Sequence, residues 1–420
     1  MTRTSRAASL VLVLAIVVLV APGSAADTPP GAGPGRYDAA VFRGGPTRAG
    51  HLGEAGLPGR AEVLWRVDIE RGAGDPVVAD GVVYVAGGGS SLFAIKADGS
   101  AILWQDDRPG RRSSQAPLVV GDRVLIATDQ GLSAYSRADG SLAWDYAIAG
   151  GAGESSPLPV GGKVVVAGYD GFLHAVDAAT GAVAWKHDIA GDAPEAPPGF
   201  VQKQAVIGDN AARPRTAASD GSTVFVPIFD QSRVVAVDAA TGKRRWSFQA
   251  KGWIYGEPTV AGDDLFFTSQ DKKLYCLDKA TGKPRWDFPT KWRVESGVAV
   301  RDGAVYFGSC DGFFYRVDAR TGKAAWSFET PKGDDGKHFP IYSSPIASAG
   351  LVCFGSFDGF VYALKLDTGE VKWKVKPVEG SEVTSSPCTD GRLVFASVRA
   401  NSFKKTGADA IVAIGEPPAR

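Results

Sequence analysis

Few residues of this chain have the types and spacing that chemistry needs. His51, His174, His187 and His338 are scattered and give no metal spacing. Cys276, Cys310, Cys353 and Cys388 are well separated, so no Cys-x-x-Cys pair occurs; there is also no phosphate loop and no Ser-His-Asp order. No catalytic residue and no resident metal or cofactor is therefore expected. Two carboxylates, Glu257 and Glu295, hold similar places in successive stretches of the chain and could share calcium or a polar ligand. Calcium takes about six or more oxygens, so internal ion pairs, for example to Arg215, are the simpler reading. Two tryptophans, Trp253 and Trp292, stand with Tyr255 and Phe339 and beside Arg293 and His338. Exposed aromatics next to cations anchor interfaces, although they also serve as packing.

These residues belong to a repeat. Trp65, Trp104, Trp144, Trp185, Trp246, Trp286, Trp326 and Trp373 recur at gaps of 39, 40, 41, 61, 40, 40 and 47 residues. In six copies a glycine lies four residues before the tryptophan (Gly140, Gly181, Gly242, Gly282, Gly322, Gly369), and Gly99 lies five before Trp104. Self-similarity at this period outranks every other reading of a sequence. One copy, 155–188, reads as four short strands. They are Pro157 to Val160, Lys163 to Ala167, Phe172 to Val176, and Ala182 to His187 with Trp185. Four short strands per unit of about 40 residues make the blade of a β-propeller. In the Asp-x-x-Thr-Gly turns, Asp177, Asp238, Asp278 and Asp318 are expected to accept from their own backbone, with glycine supplying a positive φ. Tryptophan then offers a flat surface to the neighbouring blade and an indole N–H that seeks an acceptor.

Trp65 lies on a lone fourth strand, Glu62 to Ile69, while the chain ends on Leu393 to Ser397 and Ala410 to Ile414 without one. The N-terminal strand is expected to complete the last blade and so remove open edges. The prediction is an all-β, eight-bladed propeller of four-stranded antiparallel blades over 61–415, with 416–420 as a tail.

Aspartates repeat between the second and third strands (Asp129, Asp170, Asp230, Asp271, Asp311, Asp358), where a hairpin turn explains each copy by itself. The residues opening the innermost strands differ between blades: Asp75, Gln115, Arg215, Glu257, Glu295, Ser343 and Ser385. Turn chemistry does not require that mixture, so these side chains are expected at the channel mouth. The longest insertion runs from His187 to Thr216 and carries Arg213 and Arg215; a long loop in a compact domain is a candidate partner-binding arm. The loop Val398 to Gly407, with Arg399, Lys404 and Lys405, is a second one.

The 46 basic and 46 acidic residues cancel, which argues against nucleic-acid binding by bulk charge and against an acidic disordered chain. Gly at 53 residues without a Gly-X-Y period means many turns. Residues 1–26 read as an export signal: Arg3 and Arg6, an apolar run from Leu10 to Ala21, then Ser24-Ala25-Ala26 for cleavage. The run is short for a spanning helix, which needs roughly 20 apolar residues. The expected product is a soluble, exported monomer, periplasmic or secreted, with no transmembrane span. Residues 27–60 form a Gly/Pro-rich lead-in whose Phe42-Arg43-Gly44-Gly45-Pro46 is expected to dock on the body. Four cysteines in so long a chain make no disulfide framework.

The stretches Val176-Asp177-Ala178-Ala179-Thr180-Gly181-Ala182-Val183-Ala184-Trp185 and Leu277-Asp278-Lys279-Ala280-Thr281-Gly282-Lys283-Pro284-Arg285-Trp286 resemble the pyrroloquinoline quinone (PQQ)-type propeller repeat. Phe42 to Arg48 resembles the lead-in of exported bacterial members. The resemblance implies one of two branches. Quinoprotein dehydrogenases bind PQQ and calcium and oxidise alcohols or sugars. The assembly factor BamB is an eight-bladed docking scaffold without cofactor. The dehydrogenases share adjacent paired cysteines and long roofing insertions, which this chain lacks; it also lacks the lipid-bearing cysteine of BamB. The resemblance thus favours an exported scaffold that binds a protein of the cell envelope. Trp253, Tyr255, Trp292, Arg293, Arg213, Arg215, Glu257, Glu295, His338 and Phe339 are its candidate partner-binding residues. The alternative is a PQQ- and calcium-dependent oxidoreductase.

Overall fold

The computed structural model describes residues 39–40, 42–50, 56–69, 72–87, 91–106, 113, 115–152, 154–189, 213–348, 350–401 and 406–417. The expected export signal, most of the His187 to Thr216 insertion and the tip of the 398–407 loop lie outside the described residues. Among those described, no helix is long and apolar enough to cross a membrane.

Each copy of the repeat folds as its pattern dictates. In the third blade Leu158–Val160, Lys163–Ala167, Phe172–Asp177 and Val183–Asp188 pair antiparallel in chain order. The two middle strands are Val- and Ala-rich and buried, because both their faces meet neighbouring blades. The outer strand alternates between exposed and half-buried positions, having one free edge. Eight such sheets form in sequence. The core is therefore a set of layers between blades: Val165 and Ala175 of the third blade pack with Val224, Val226, Val235 and Val237 of the fourth.

The repeat tryptophan works across these seams. Trp286 lies over Gly322 of the next blade, where an added Cβ would stand 2.7 Å from the indole. Its Nε1 donates to the carbonyl of Ala319 in the same turn at 3.0 Å. Trp65, Trp104, Trp185, Trp246 and Trp326 repeat the arrangement on Gly99, Gly140, Gly242, Gly282 and Gly369. Trp144 packs on Gly181 alike, but its indole N–H has no acceptor among the described residues. The glycine before each tryptophan thus serves the preceding blade's indole. The turn aspartates behave as expected: Asp177 accepts from the N–H groups of Ala179 and Thr180 and from the Thr180 hydroxyl.

The ring closes as the strand count required. Glu62–Asp68 pairs antiparallel with Ala410–Gly415, so the first long strand of the chain is the outermost strand of the eighth blade.

Candidate functional site

The residues that open the innermost strands fall into two registers. Asp75, Ala116, Ser156, Thr216, Glu257, Gly297, Ser344 and Ser386 each stand two places before an innermost strand and ring the channel. Several of their side chains lace neighbouring blades together. Thr216 Oγ1 accepts from Ser156 N–H, Ser344 Oγ from Gly297 N–H, Ser386 Oγ from Ser344 N–H, and Asp75 Oδ1 from Ser386 N–H at 2.6 Å. Gln115, Arg215, Glu295, Ser343 and Ser385 stand one or two places earlier, towards the mouth. Sequence reading merged the two levels because it lacked the strand register.

The lead-in runs inside this ring. Ala39–Ala40 pairs with Val119 and Val120 of the second blade. The carbonyls of Pro46, Thr47, Ala49 and Gly50 then accept from Ser219, Val260, Val300 and Ala347, which lie on the innermost strands of blades four to seven. Those strands are edges with free backbone donors, and the lead-in satisfies them. Two arginines hold the segment in place. Arg43 Nη1 donates to Glu257 Oε1 at 2.6 Å, and its Nη2 donates to the carbonyls of Val298 and Pro345. Arg48 donates to the carbonyls of Ala217, Phe42 and Pro157 and lies 5.5 Å from the Phe42 ring. Both have a left-handed backbone, φ 59 and 56, which is disfavoured for any residue but glycine. Burial pushes the Arg48 guanidinium down to about 9, so it stays protonated at neutral pH. Burial also pushes the Asp75 carboxyl up to about 7. The sequence marks Arg43 only as part of the docking stretch Phe42 to Pro46, and Arg48 only as the end of the stretch that resembles the family's lead-in. The available signal was Gly297, which breaks a ring otherwise built mainly of hydroxyl and carboxyl side chains.

At the mouth, Arg215 lies 4.2 Å from the Tyr255 ring and 4.9 Å from that of Phe229, and its Nη2 pairs with Glu154 at 3.3 Å. Trp253 stacks obliquely on Phe229 with centroids 4.7 Å apart. Glu295 is held by Arg293 at 2.8 Å and by Gln270 at 2.8 Å. Burial nevertheless raises its carboxyl, against the pull of Arg293. Trp292 is 52% exposed, with the Lys272 ammonium 4.9 Å from its ring. His338 is engaged locally, by Thr330 O and by Glu329 at 2.7 Å. Phe339 is half-buried above Gly333, and Arg213 donates its backbone N–H to Asp230. The fold thus gathers Arg215, Tyr255, Trp253, Glu295, Arg293 and Trp292 on one face, whereas Glu257 lies deeper and His338 and Phe339 serve their own loop.

The repeated loop aspartates have a further local reason. Asp271, Asp311 and Asp358 accept from the hydroxyls of Tyr275, Tyr315 and Tyr362 four residues on, and Asp170 meets His174 in the same place. This Asp-x-x-x-Tyr spacing was visible in the sequence and was passed over.

The residues present do not fit calcium. Glu257 and Glu295 form internal ion pairs, as expected, but with Arg43 and Arg293, while Arg215 pairs with Glu154. Among the described residues, no three His, Cys, Asp or Glu side chains come together in a way that could hold a metal ion. A groove of about 860 Å³ lies elsewhere, between Glu62–Trp65, Asp80–Val82, Leu393 and Pro417. It flanks the break where the third and fourth strands of the last blade come from opposite ends of the chain.

A family model described as outer membrane protein assembly factor BamB matches residues 58–226 and 230–410. No curated protein sequence matches the chain. Among solved structures, BamB from Moraxella catarrhalis is 17% identical with a TM-score of 0.64, covering 86% of this chain and 99% of that one. A europium-containing methanol dehydrogenase is 15% identical with a TM-score of 0.72, covering 90% and 98%. The quinohemoprotein alcohol dehydrogenase from Comamonas testosteroni is 15% identical with a TM-score of 0.69, covering 90% and 81%. At these identities the likeness is one of fold, shared by an assembly factor and by dehydrogenases.

Proposed function

The chain belongs to the PQQ-like propeller family of the assembly factor BamB, and we propose from that premise that it is an exported, non-catalytic scaffold whose mouth face docks a protein of the cell envelope. One observation carries this reading: Glu257 in the channel and Glu295 at its mouth are each paired with an arginine of the chain, while Trp253 and Trp292 on the mouth face remain outward. Loops on a rigid scaffold are where binding specificity usually sits, and tryptophan and arginine dominate interface energetics. The proposed docking residues are Trp253, Trp292, Tyr255, Arg215, Arg293 and Glu295, with Arg213, His338 and Phe339 beyond them. Glu257 acts from below by holding the channel floor. Residues 1–26 serve as the cleaved export signal, which places the mature monomer in the periplasm or outside the cell.

The test is affinity capture from a detergent-solubilised envelope fraction, comparing the immobilised protein with its folded Trp253→Ala/Trp292→Ala variant. Partners recovered by the first and lost by the second support the reading; equal recovery removes this face. Stoichiometric PQQ binding with calcium, together with dye-linked alcohol oxidation, would move the chain to the oxidoreductase branch.

A further inference from the structure

The channel is unusual in what fills it. Of the eight residues that ring it, two are acidic, Asp75 in the first blade and Glu257 in the fifth, so they face each other across the axis. Arg43 is carried to Glu257 by the lead-in, with its side chain fully buried. Its positive charge acts on both carboxylates, through a hydrogen bond to Glu257 and over a longer distance on Asp75. The ring makes room for the pair at Gly297: a Cβ there would stand 2.2 Å from Glu257 Oε1 and 2.6 Å from Arg43 Nη1. Gly50, with φ +64, does the same on the lead-in side, where a Cβ would stand 2.8 Å from Arg43 Nη2.

We infer that Arg43, of the two buried lead-in arginines the one bonded to Glu257, is the cation resident on the channel's acidic pair, set there by the chain's own lead-in, and that it closes the channel to metal ions and to a metal-dependent quinone. The chemistry is one of replacement. A metal ion ligated by Glu257 must either displace the guanidinium or sit beside its positive charge; a buried guanidinium without its carboxylate is strongly unfavourable, and so are two cations held together in a buried site. The displaced group cannot simply swing into solvent. Its backbone is pinned by Arg48 and by the four carbonyls bound to blades four to seven. The lead-in is therefore a strap that seals the channel as well as a connection to the first strand. This inference shares the Arg43–Glu257 pair with the docking reading, but its test reads metal and quinone binding in the channel whereas the capture test reads the mouth face, so the two failures are distinguishable.

Terbium, an oxygen-seeking ion whose emission is sensitised by nearby tyrosine and tryptophan, is the probe. Wild-type and Glu257→Gln proteins are expected to give superimposable terbium isotherms, because Glu257 is already occupied. A wild-type site that Glu257→Gln abolishes overturns the inference. Arg43→Gln is expected to gain one site at least about tenfold tighter than any in wild type, lost again in Arg43→Gln/Glu257→Gln. A folded Arg43→Gln protein with the wild-type isotherm also overturns it. Circular dichroism checks folding. Should a variant unfold, wild type decides alone. With equimolar PQQ and calcium, the quinone absorbance must stay that of free quinone, and a stoichiometric spectral change refutes the assignment.

Discussion

Trp373 donates its indole N–H to the carbonyl of Pro58 at 2.7 Å, joining the seventh blade to the lead-in. In six other seams, all but that of Trp144, the acceptor is a carbonyl of the next blade's Asp-x-x-Thr-Gly turn or its counterpart. The eighth blade has no such turn, since its outer strand is Glu62–Asp68. The lead-in rebuilds it, with Gly59 N–H bonded to Glu416 at 3.0 Å. Trp373→Phe should cost about 1 kcal/mol, the usual net worth of one hydrogen bond. Trp373→Ala should cost about 3–5 kcal/mol, because the indole is buried among Cys353, Val361 and Val412. Urea unfolding measures both, and a loss below about 1 kcal/mol for the alanine variant would contradict this account of closure.

A pair of glycines separates backbone strain from packing. Gly303 and Gly322 have nearly equal φ, +71 and +70. A Cβ at Gly303 meets nothing within 4 Å, whereas at Gly322 it meets the Trp286 indole at 2.7 Å. Gly303→Ala should therefore cost about 1 kcal/mol, the left-handed penalty alone. Gly322→Ala should cost about 1–3 kcal/mol more, as overpacking does. Equal losses on unfolding would mean that the tryptophan seam yields freely.

The pH dependence follows from two opposed groups of carboxylates. Burial raises Asp75 and Glu382 to about 7. A carboxyl whose folded pKa is raised binds its proton more tightly in the folded state, so its contribution fades as pH rises from about 4 to 7. The turn residues are held low: Asp238 and Asp278 first by a hydrogen-bonded arginine, and Asp177 and Asp318 first by side-chain and backbone hydrogen bonds, with Arg320 adding to Asp318. Their contribution is lost as pH falls below about 4. The melting temperature should rise as pH is lowered from 8 towards 5, then fall. Asp75→Asn, which keeps an acceptor for Ser386 N–H, should flatten the upper limb. A melting curve that climbs from pH 5 to 8 would reverse the assignment.

What could be read from the sequence was what is local. The tryptophan period, the four strands per unit, the turn aspartates and the strand Glu62–Asp68 all follow from contacts within a blade or with the next one in the chain, or from strand counting. The channel was not legible in the same way. Arg43 and Glu257 are 214 residues apart, and nothing near either one names the other. Likewise Glu295 looked like a partner for Glu257 because both open a blade, but their registers differ by two positions. The mouth face was visible as isolated Trp253 and Trp292, since neither fits the repeat. Phe229 was missed because it looks like an ordinary strand end.

All four cysteines are unpaired. Burial raises every thiol, Cys310 to about 12 and the others further, so thiolate is scarce at neutral pH. The folded protein should react with a disulfide reagent far more slowly than the denatured chain, and melts with and without reductant should coincide. A large loss of melting temperature on reduction would reveal a structural disulfide.

The two outlying tryptophans should separate under mutation, and the separation tests whether the mouth face binds or merely packs. Trp253 is 37% exposed, and its ring rests on Phe229, which also supports Tyr255 at 4.5 Å. Trp253→Ala removes part of an aromatic cluster and should lower stability by about 1–2 kcal/mol, in the ordinary range for a packing loss. Trp292 is 52% exposed, and its ring meets the Lys272 ammonium. Trp292→Ala should leave stability within about 0.5 kcal/mol of wild type, as surface changes do. Its backbone carbonyl still accepts from Thr290, so the loop keeps its shape. If the face docks a partner, Trp292→Ala alone should weaken capture by about 2 kcal/mol, roughly thirtyfold, without moving the unfolding curve. A variant that unfolds like wild type and binds like wild type would reduce Trp292 to an ordinary exposed side chain, and would shift the search for a partner surface to the insertion between His187 and Thr216.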